Sequence, residues 1–379
     1  MHFPRPALAA DLARLLLAPT ALEGYVRSGL FLTGARRIGK STFLAGELVP
    51  ELQSRGAVVV YVDLWSAPNE DPAAQVCRAI ATALEQLTLA GNPLLKRILS
   101  VRKLSLEVPA LKFGFALETL GQKSGATLAQ AMTELVDQAR TDVVLIVDEV
   151  QHALTSEDGA ALLYALKAAR DAVNIRRGTP GHFIFLGTGS HHVKVREMVQ
   201  GHSQAFLGSQ TLDFPLLGPE FVAFVLEQVR ETLKHALPSK ETAFAAFQAL
   251  GHRPEELLRA LALLKILPPG HDPDTAMTAT AVALRSAIAE RELARLFSMS
   301  ALHQVIFARL AQGLPAPFSK AAKASYAGEV GHEPNNSEVQ TALNGLIAAG
   351  YVVRASSGQY ECADPLVPQL WLDRAQHRL

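Results

Sequence analysis

The chain has 379 residues, of which 49% are apolar and 19% charged, with 36 basic residues balanced by 36 acidic ones. That length exceeds what one core usually fills, so two or three domains are expected, and the apolar content excludes a disordered chain. Zero net charge gives no general attraction to nucleic acid, and no apolar run reaches the roughly 20 residues a membrane span needs.

In chain order, residues 7–18 and 20–28 read as helical and lead into a buried strand at 29–33. A helix from Phe43 to Arg55 follows, then a β-branched strand at 58–64 and a helix at 71–89. Residues 105–115 partly alternate and suggest a hairpin or insertion edge. A helix at 127–140 precedes the most apolar strand, Val143–Val147, which runs into Asp148 and Glu149. A helix at 159–173, a strand at 183–186 followed by a Gly-Thr-Gly-Ser turn, and a short strand at 211–214 complete this half. Strands alternating with helices predict a parallel sheet under covering helices.

From about residue 218 the pattern is helical only: 218–235, 240–251, 254–265 and 276–296. Helices at 300–312, 319–327 and 337–349 then precede a hairpin over 351–362, which is the order of a winged helix-turn-helix. The expected organisation is an α/β P-loop NTPase core with a parallel sheet over 1–216, a helical lid over 217–297 and a C-terminal winged helix over 298–379. Cys77 and Cys362 lie far apart with no metal-ligand spacing, so neither a disulfide scaffold nor structural zinc is expected and a cytoplasmic location fits.

The chemistry is concentrated at Gly34-Ala35-Arg36-Arg37-Ile38-Gly39-Lys40-Ser41-Thr42, which fills every position of the Walker A pattern between a strand and a helix. Gly34 and Gly39 let the backbone curl so that successive N–H groups face a polyphosphate at a helix N-terminus. Lys40 is expected on the β- and γ-phosphates, Ser41 on Mg²⁺ and Thr42 on the α-phosphate. Asp148, at a parallel-strand C-terminus, is the second candidate Mg²⁺ residue, and Glu149 is the candidate that activates water. Thr188 and Ser190 are candidates for sensing the γ-phosphate, with a plain Gly/Ser/Thr turn as the alternative for each. His191 and His192 read as solvated loop residues. No guanine-reading Asn-Lys-x-Asp segment occurs, which favours ATP.

The Gly34–Ser41 loop, the Asp148-Glu149-Val150-Gln151 tetrad, the Thr188-Gly189-Ser190 turn and the terminal winged-helix pattern together resemble the archaeal-type ATPases. These belong to the signal-transducing STAND branch of P-loop NTPases, close to the origin-recognition AAA+ proteins. The resemblance implies an ATPase core, a lid and a winged helix governed by nucleotide state. It carries a Gly-x-Pro lid motif onto Gly251-His252-Arg253-Pro254, with one extra residue between glycine and proline. There Arg253 is either a second sensor or a plain helix start. The family's arginine after a leucine-aromatic-glycine stretch is replaced here, because Phe206-Leu207-Gly208 is followed by Ser209, which leaves Arg196 and Arg37 as substitutes for an arginine finger.

The third helix of the winged-helix pattern carries no Lys or Arg. Residues 299–379 hold six basic residues (Arg309, Lys320, Lys323, Arg354, Arg374, Arg378) against six acidic ones. Duplex binding needs cations set against phosphates, so a protein partner or self-association is the favoured reading, with no membrane partner. DNA contact through Lys320, Lys323, Arg354, Gln340 and Asn344 stays open. Three functions follow: an ATP-hydrolysing switch, a DNA-binding ATPase resembling an origin or transposition regulator, and a nucleotide-binding scaffold with little turnover.

Overall fold

The computed structural model describes residues 2–67, 70–88, 127–155, 157–190, 195, 198–199, 205–266, 268, 270–356, 358–364 and 366–376. Two compact units emerge: one formed by His2–Gly34 and Lys40–Phe214, the other by Ala35–Gly39 together with Pro215–Leu379.

The first unit opens with helix α1 (Pro6–Leu17), which buries Leu12, Leu15 and Leu16. A 3₁₀ helix over Ala21–Ser28 follows, its start fixed by Thr20 and Glu23 satisfying each other's backbone N–H groups. Strand β1 (Leu30–Thr33) leads to the glycine loop and to helix α2 (Lys40–Phe43). The expected single helix from 43 to 55 is instead three pieces: α2, a π-helical turn over Leu44–Leu48 and α3 (Val49–Ser54). Pro50, inside the first turn of α3, has no N–H to continue the ladder.

Strands β2 (Val58–Asp63), β3 (Val143–Asp148), β4 (Phe183–Gly189) and β5 (Gln210–Asp213) complete a five-stranded sheet of order β2-β3-β4-β1-β5. Every neighbouring pair is parallel, as the strand–helix alternation predicts. Helices α4 (Pro72–Thr88), α5 (Leu128–Ala139) and α6 (Glu157–Asn174) join the strands. A 3₁₀ helix over Val150–Thr155, which sequence periodicity did not reveal, sits between β3 and α6. Strand β3 is buried along its whole length, and β2, at the sheet edge, alternates between buried and half-buried residues. Phe31, Phe185 and Phe206 interlock beneath the sheet, with the Phe185 and Phe206 rings stacked at 4.5 Å. The 105–115 hairpin expectation lies outside the described residues.

Strand β4 is longer than the 183–186 run suggests. It continues to Gly189, so Thr188 lies inside the strand and only Ser190 follows it. The glycines there are tolerated because a side chain has no room: a Cβ on Gly187 would meet the Phe31 ring at 2.6 Å, and one on Gly189 would meet the Val195 side chain at 2.6 Å.

In the second unit, helices α7 (Pro219–Leu233), α8 (Lys240–Ala249), α9 (Pro254–Leu264) and α10 (Pro273–Phe297) follow one another. Then come α11 (Ala301–Ala311), α12 (Lys320–Val330), α13 (Asn336–Ala348), the antiparallel strands β6 (Val352–Ser356) and β7 (Gln359–Cys362), and a terminal helix α14 (Leu366–Gln376) that the sequence reading missed. Ser239, Asp272, Ser319 and Asn335 cap four of these helices by accepting from backbone N–H groups three residues on. The long α10 packs against α8 and α9 on one side and α14 on the other. That continuity explains why residues 217–297 and 298–379, which sequence patterning separates, fall into one compact unit.

Candidate functional site

In the loop between β1 and α2 the left-handed positions are Gly39, as expected, and Arg37, while Gly34 is not among them. Gly39 has φ 92° and Arg37 φ 66°, both in the left-handed region, and such alternation turns successive N–H groups toward one anion. Lys40 is 6% exposed at the first turn of α2, and its Nζ donates to the Gly34 carbonyl at 2.7 Å. The ammonium is therefore folded over the loop it would serve.

Asp148 ends β3 and is fully buried. Three donors hold its carboxylate: the Thr188 hydroxyl from β4 and the Glu149 N–H at 3.0 Å, both on Oδ1, and the Tyr61 phenol at 3.0 Å on Oδ2. Three of the roughly four acceptor sites of the carboxylate are thus filled, which fixes its direction. Glu149 takes a left-handed backbone conformation, φ 54°, uncommon for a side-chain-bearing residue and a recurrent feature of functional sites. Its Oε2 accepts from Ser190 at 3.0 Å and from the Gln151 amide, while Gln151 also reaches Ser190 at 3.4 Å. The Oε1 of Gln151 is buried and meets no donor among the described residues. That oxygen lies against Gly189, where a Cβ would come within 2.4 Å of it, so the glycine is required there.

Of the sequence candidates, Asp148, Glu149, Thr188 and Ser190 thus come together at the strand ends. A residue that sequence reading overlooked joins them: Tyr61, on β2, donates to Asp148 at 3.0 Å, and the neighbouring Ser41 hydroxyl acts on the same phenol. Burial, and next the Asp148 charge, hold its phenol well above the ordinary range, so it stays a donor. Asp63 is a further missed member: it pairs in register with Asp148, and burial followed by the Asp148 and Glu149 charges raises its carboxyl, against a lowering hydrogen bond from the Trp65 N–H. No sequence motif marks either position. Only the parallel register of β2 on β3 makes them neighbours of the site. The donor set at Ser41 and Asp148, a hydroxyl and a carboxylate, suits a hard cation such as Mg²⁺.

Arg253 sits at the N-terminal cap of α9 and is 3% exposed. Its guanidinium faces Asp364 at 3.5 Å and Glu292 at 3.9 Å, within its own unit. Arg37 is drawn toward Glu256 at 4.0 Å. Arg196, His191 and His192 lie outside the described residues. Phe206 is packed into the aromatic core and the Ser209 hydroxyl donates to the Ser28 carbonyl at 2.5 Å, so the segment lacking the family's arginine serves packing. Of the candidate base readers, Gln340 donates to Asn344 at 2.9 Å along α13, and of the candidate cations, Lys323 donates to Asn336 at 3.2 Å. Among the described residues no helix is long and apolar enough to cross a membrane.

Residues 25–193 match the family model described as an AAA domain. Among solved structures, the chain is similar to the Walker-type ATPase PABY2304 of Pyrococcus abyssi, with a TM-score of 0.59 and 17% identity over 98% of this chain and 96% of that one. The Aeropyrum pernix ORC2 protein in its ADP form matches with a TM-score of 0.57 and 17% identity, covering 100% of this chain and 96% of the other. The same protein in its ADPNP–ADP complexes gives 0.52 and 17%, over 98% and 94%. No curated protein matches the chain.

Proposed function

We propose that the chain is a P-loop ATPase of the AAA type that hydrolyses ATP as a nucleotide-dependent switch, a reading supported by the AAA-domain match of residues 25–193 and by a fold shared with archaeal Walker-type and origin-recognition ATPases. The observation that carries this reading is the hydrogen-bonded set Tyr61–Asp148–Thr188 with Glu149–Ser190–Gln151 beside it.

Each group has one task in this reading. The loop N–H groups bind the phosphates, and the Lys40 ammonium exchanges the Gly34 carbonyl for phosphate oxygens. Ser41 and Asp148 would hold Mg²⁺, which when bound supplies positive charge to the phosphate oxygens. Thr188 and Tyr61 keep the Asp148 carboxylate aimed, as supporting hydrogen bonds do around metal ligands. Glu149 orients the attacking water and accepts its proton, and Ser190 and Gln151 hold Glu149 until water displaces one of them. Arg253 serves as lid arginine only if its guanidinium leaves Asp364. We read 217–297 as the lid and 298–379 as a winged helix that engages a protein partner. The lack of Lys or Arg on α13 supports that partner class over duplex DNA.

Two variants test the core of this reading. Lys40→Ala should abolish retention of Mg-ATP in equilibrium binding. Glu149→Gln should keep ATP bound while steady-state turnover falls about 100-fold or more, the scale of a lost general base. Unchanged turnover in Glu149→Gln would leave a nucleotide-binding scaffold, and absence of any Mg-dependent nucleotide binding by the unmodified chain would end the proposal.

A further inference from the structure

Glu256, in the first turn of α9, is 2% exposed, and no task in the hydrolytic scheme uses it. A carboxylate removed from water is tolerated only where cations and hydrogen bonds replace its hydration. Three guanidinium groups supply charge: Arg37 at 4.0 Å, Arg259 at 3.9 Å and Arg291 at 3.9 Å. The hydrogen bonds are missing, since Oε2 is buried and accepts from no donor among the described residues. All three contacts are near the outer limit of an ion pair, so the carboxylate is neutralised without being gripped.

The three arginines differ in where they come from. Arg259 lies one turn further along α9, and Arg291 lies on α10, where it also meets Glu292 at 3.3 Å. Both belong to the helices that enclose Glu256. Arg37 is a phosphate-loop residue in the left-handed conformation, and half of its side chain is exposed. A phosphate group offers a guanidinium short, paired hydrogen bonds that Glu256 does not.

We propose that Glu256 is a counter-charge latch on the phosphate loop: it holds Arg37 until a polyphosphate competes for the guanidinium, so that filling the loop releases α9. The latch rests on the ATP-binding reading above and adds the regulation of that site. Its sign follows from charge. Glu256 repels a polyphosphate and occupies a cation that the polyphosphate would use, so it opposes nucleotide binding.

The test uses the full chain and a fluorescent ATP analogue with Mg²⁺. Glu256→Gln, neutral and nearly isosteric, should bind the analogue at least about threefold tighter, the effect of removing one like charge at moderate distance. In an Arg37→Ala background the same change should give a clearly smaller gain, because only the direct repulsion of the polyphosphate is then left to remove. Unchanged or weaker binding in Glu256→Gln, or an equal gain without Arg37, overturns the latch. Hydrogen exchange without added nucleotide provides a second measurement. Both Glu256→Gln and Arg37→Ala should speed exchange at the amides of residues 35–39, and unchanged rates in both overturn the latch as well. If the unmodified chain binds nucleotide no better than Lys40→Ala, the ATP reading fails, and the exchange rates alone then decide the latch.

Discussion

The strand-end crevice and the α9 cluster both bury charge, and they treat it in opposite ways. In the crevice, Asp148 and Glu149 accept short hydrogen bonds from Thr188, Tyr61, Ser190 and Gln151. Around α9, Glu256 and Arg253 are buried too, yet their partners stand 3.5 to 4.0 Å away, and Arg253 Nη1 and Glu256 Oε2 are unsatisfied among the described residues. A fully hydrogen-bonded charge is fixed in direction, which suits a group that must meet a reacting atom. A charge that is only neutralised exchanges partners at little cost, which suits a group that changes state.

The contrast can be broken by measurement. Thr188→Val keeps the shape of a fully buried side chain and removes a donor from Asp148. We expect a loss of about 2 kcal/mol in urea unfolding, the worth of one hydrogen bond to a buried charged acceptor, since the Glu149 N–H still reaches the same oxygen. Arg253→Met removes the loosely paired cation while filling similar space. The expected loss is about 1 kcal/mol, because its ion pairs lack close hydrogen bonds. If Arg253→Met costs more than Thr188→Val, the distinction between fixed and exchangeable charge fails.

A smaller effect should sharpen the crevice side. Asp63 has its carboxyl raised in the folded chain, first by burial and then by Asp148 and Glu149. A raised acid is penalised in the folded state only once it ionises, so the penalty is absent below the ordinary carboxylate range and complete above the raised value. Because Asp63 is partly exposed, solvent screening keeps the effect small, and Asp63→Asn should melt about a degree higher than the unmodified chain at pH 8. The gap should close as the pH falls toward 4. A gap that grows on acidification would mean that Asp63 is stabilised as an anion.

Much of this was legible in the residues. Walker A, the apolar β3 ending in Asp148 and Glu149, and the helix starts at Ser239, Ser319 and Asn335 are local signals, fixed by spacing and side-chain chemistry within a few positions. Thr188 was placed one step wrong, in a turn after β4, because the Gly187 and Gly189 flanks read as a loop. They are glycines because the Phe31 ring and the Val195 side chain press on the strand. Tyr61 and Asp63 were missed because a strand residue's partner is chosen by register, and nothing in 58–63 names β3 as the neighbour. Glu256 drew no reading from the sequence, where a first-turn acid is ordinary; its burial among Arg37, Arg259 and Arg291 is a product of packing.

The sequence by itself determined the nucleotide loop, the acidic strand end and the alternation that makes the sheet parallel, since each depends on backbone freedom or hydrophobic periodicity over a short span. The tertiary structure alone decided which hydroxyl and phenol hold Asp148, which residues steady Glu149, and which arginines gather on Glu256. Those outcomes depend on distances between segments far apart in the chain, and such distances exist only once the sheet and helices have packed.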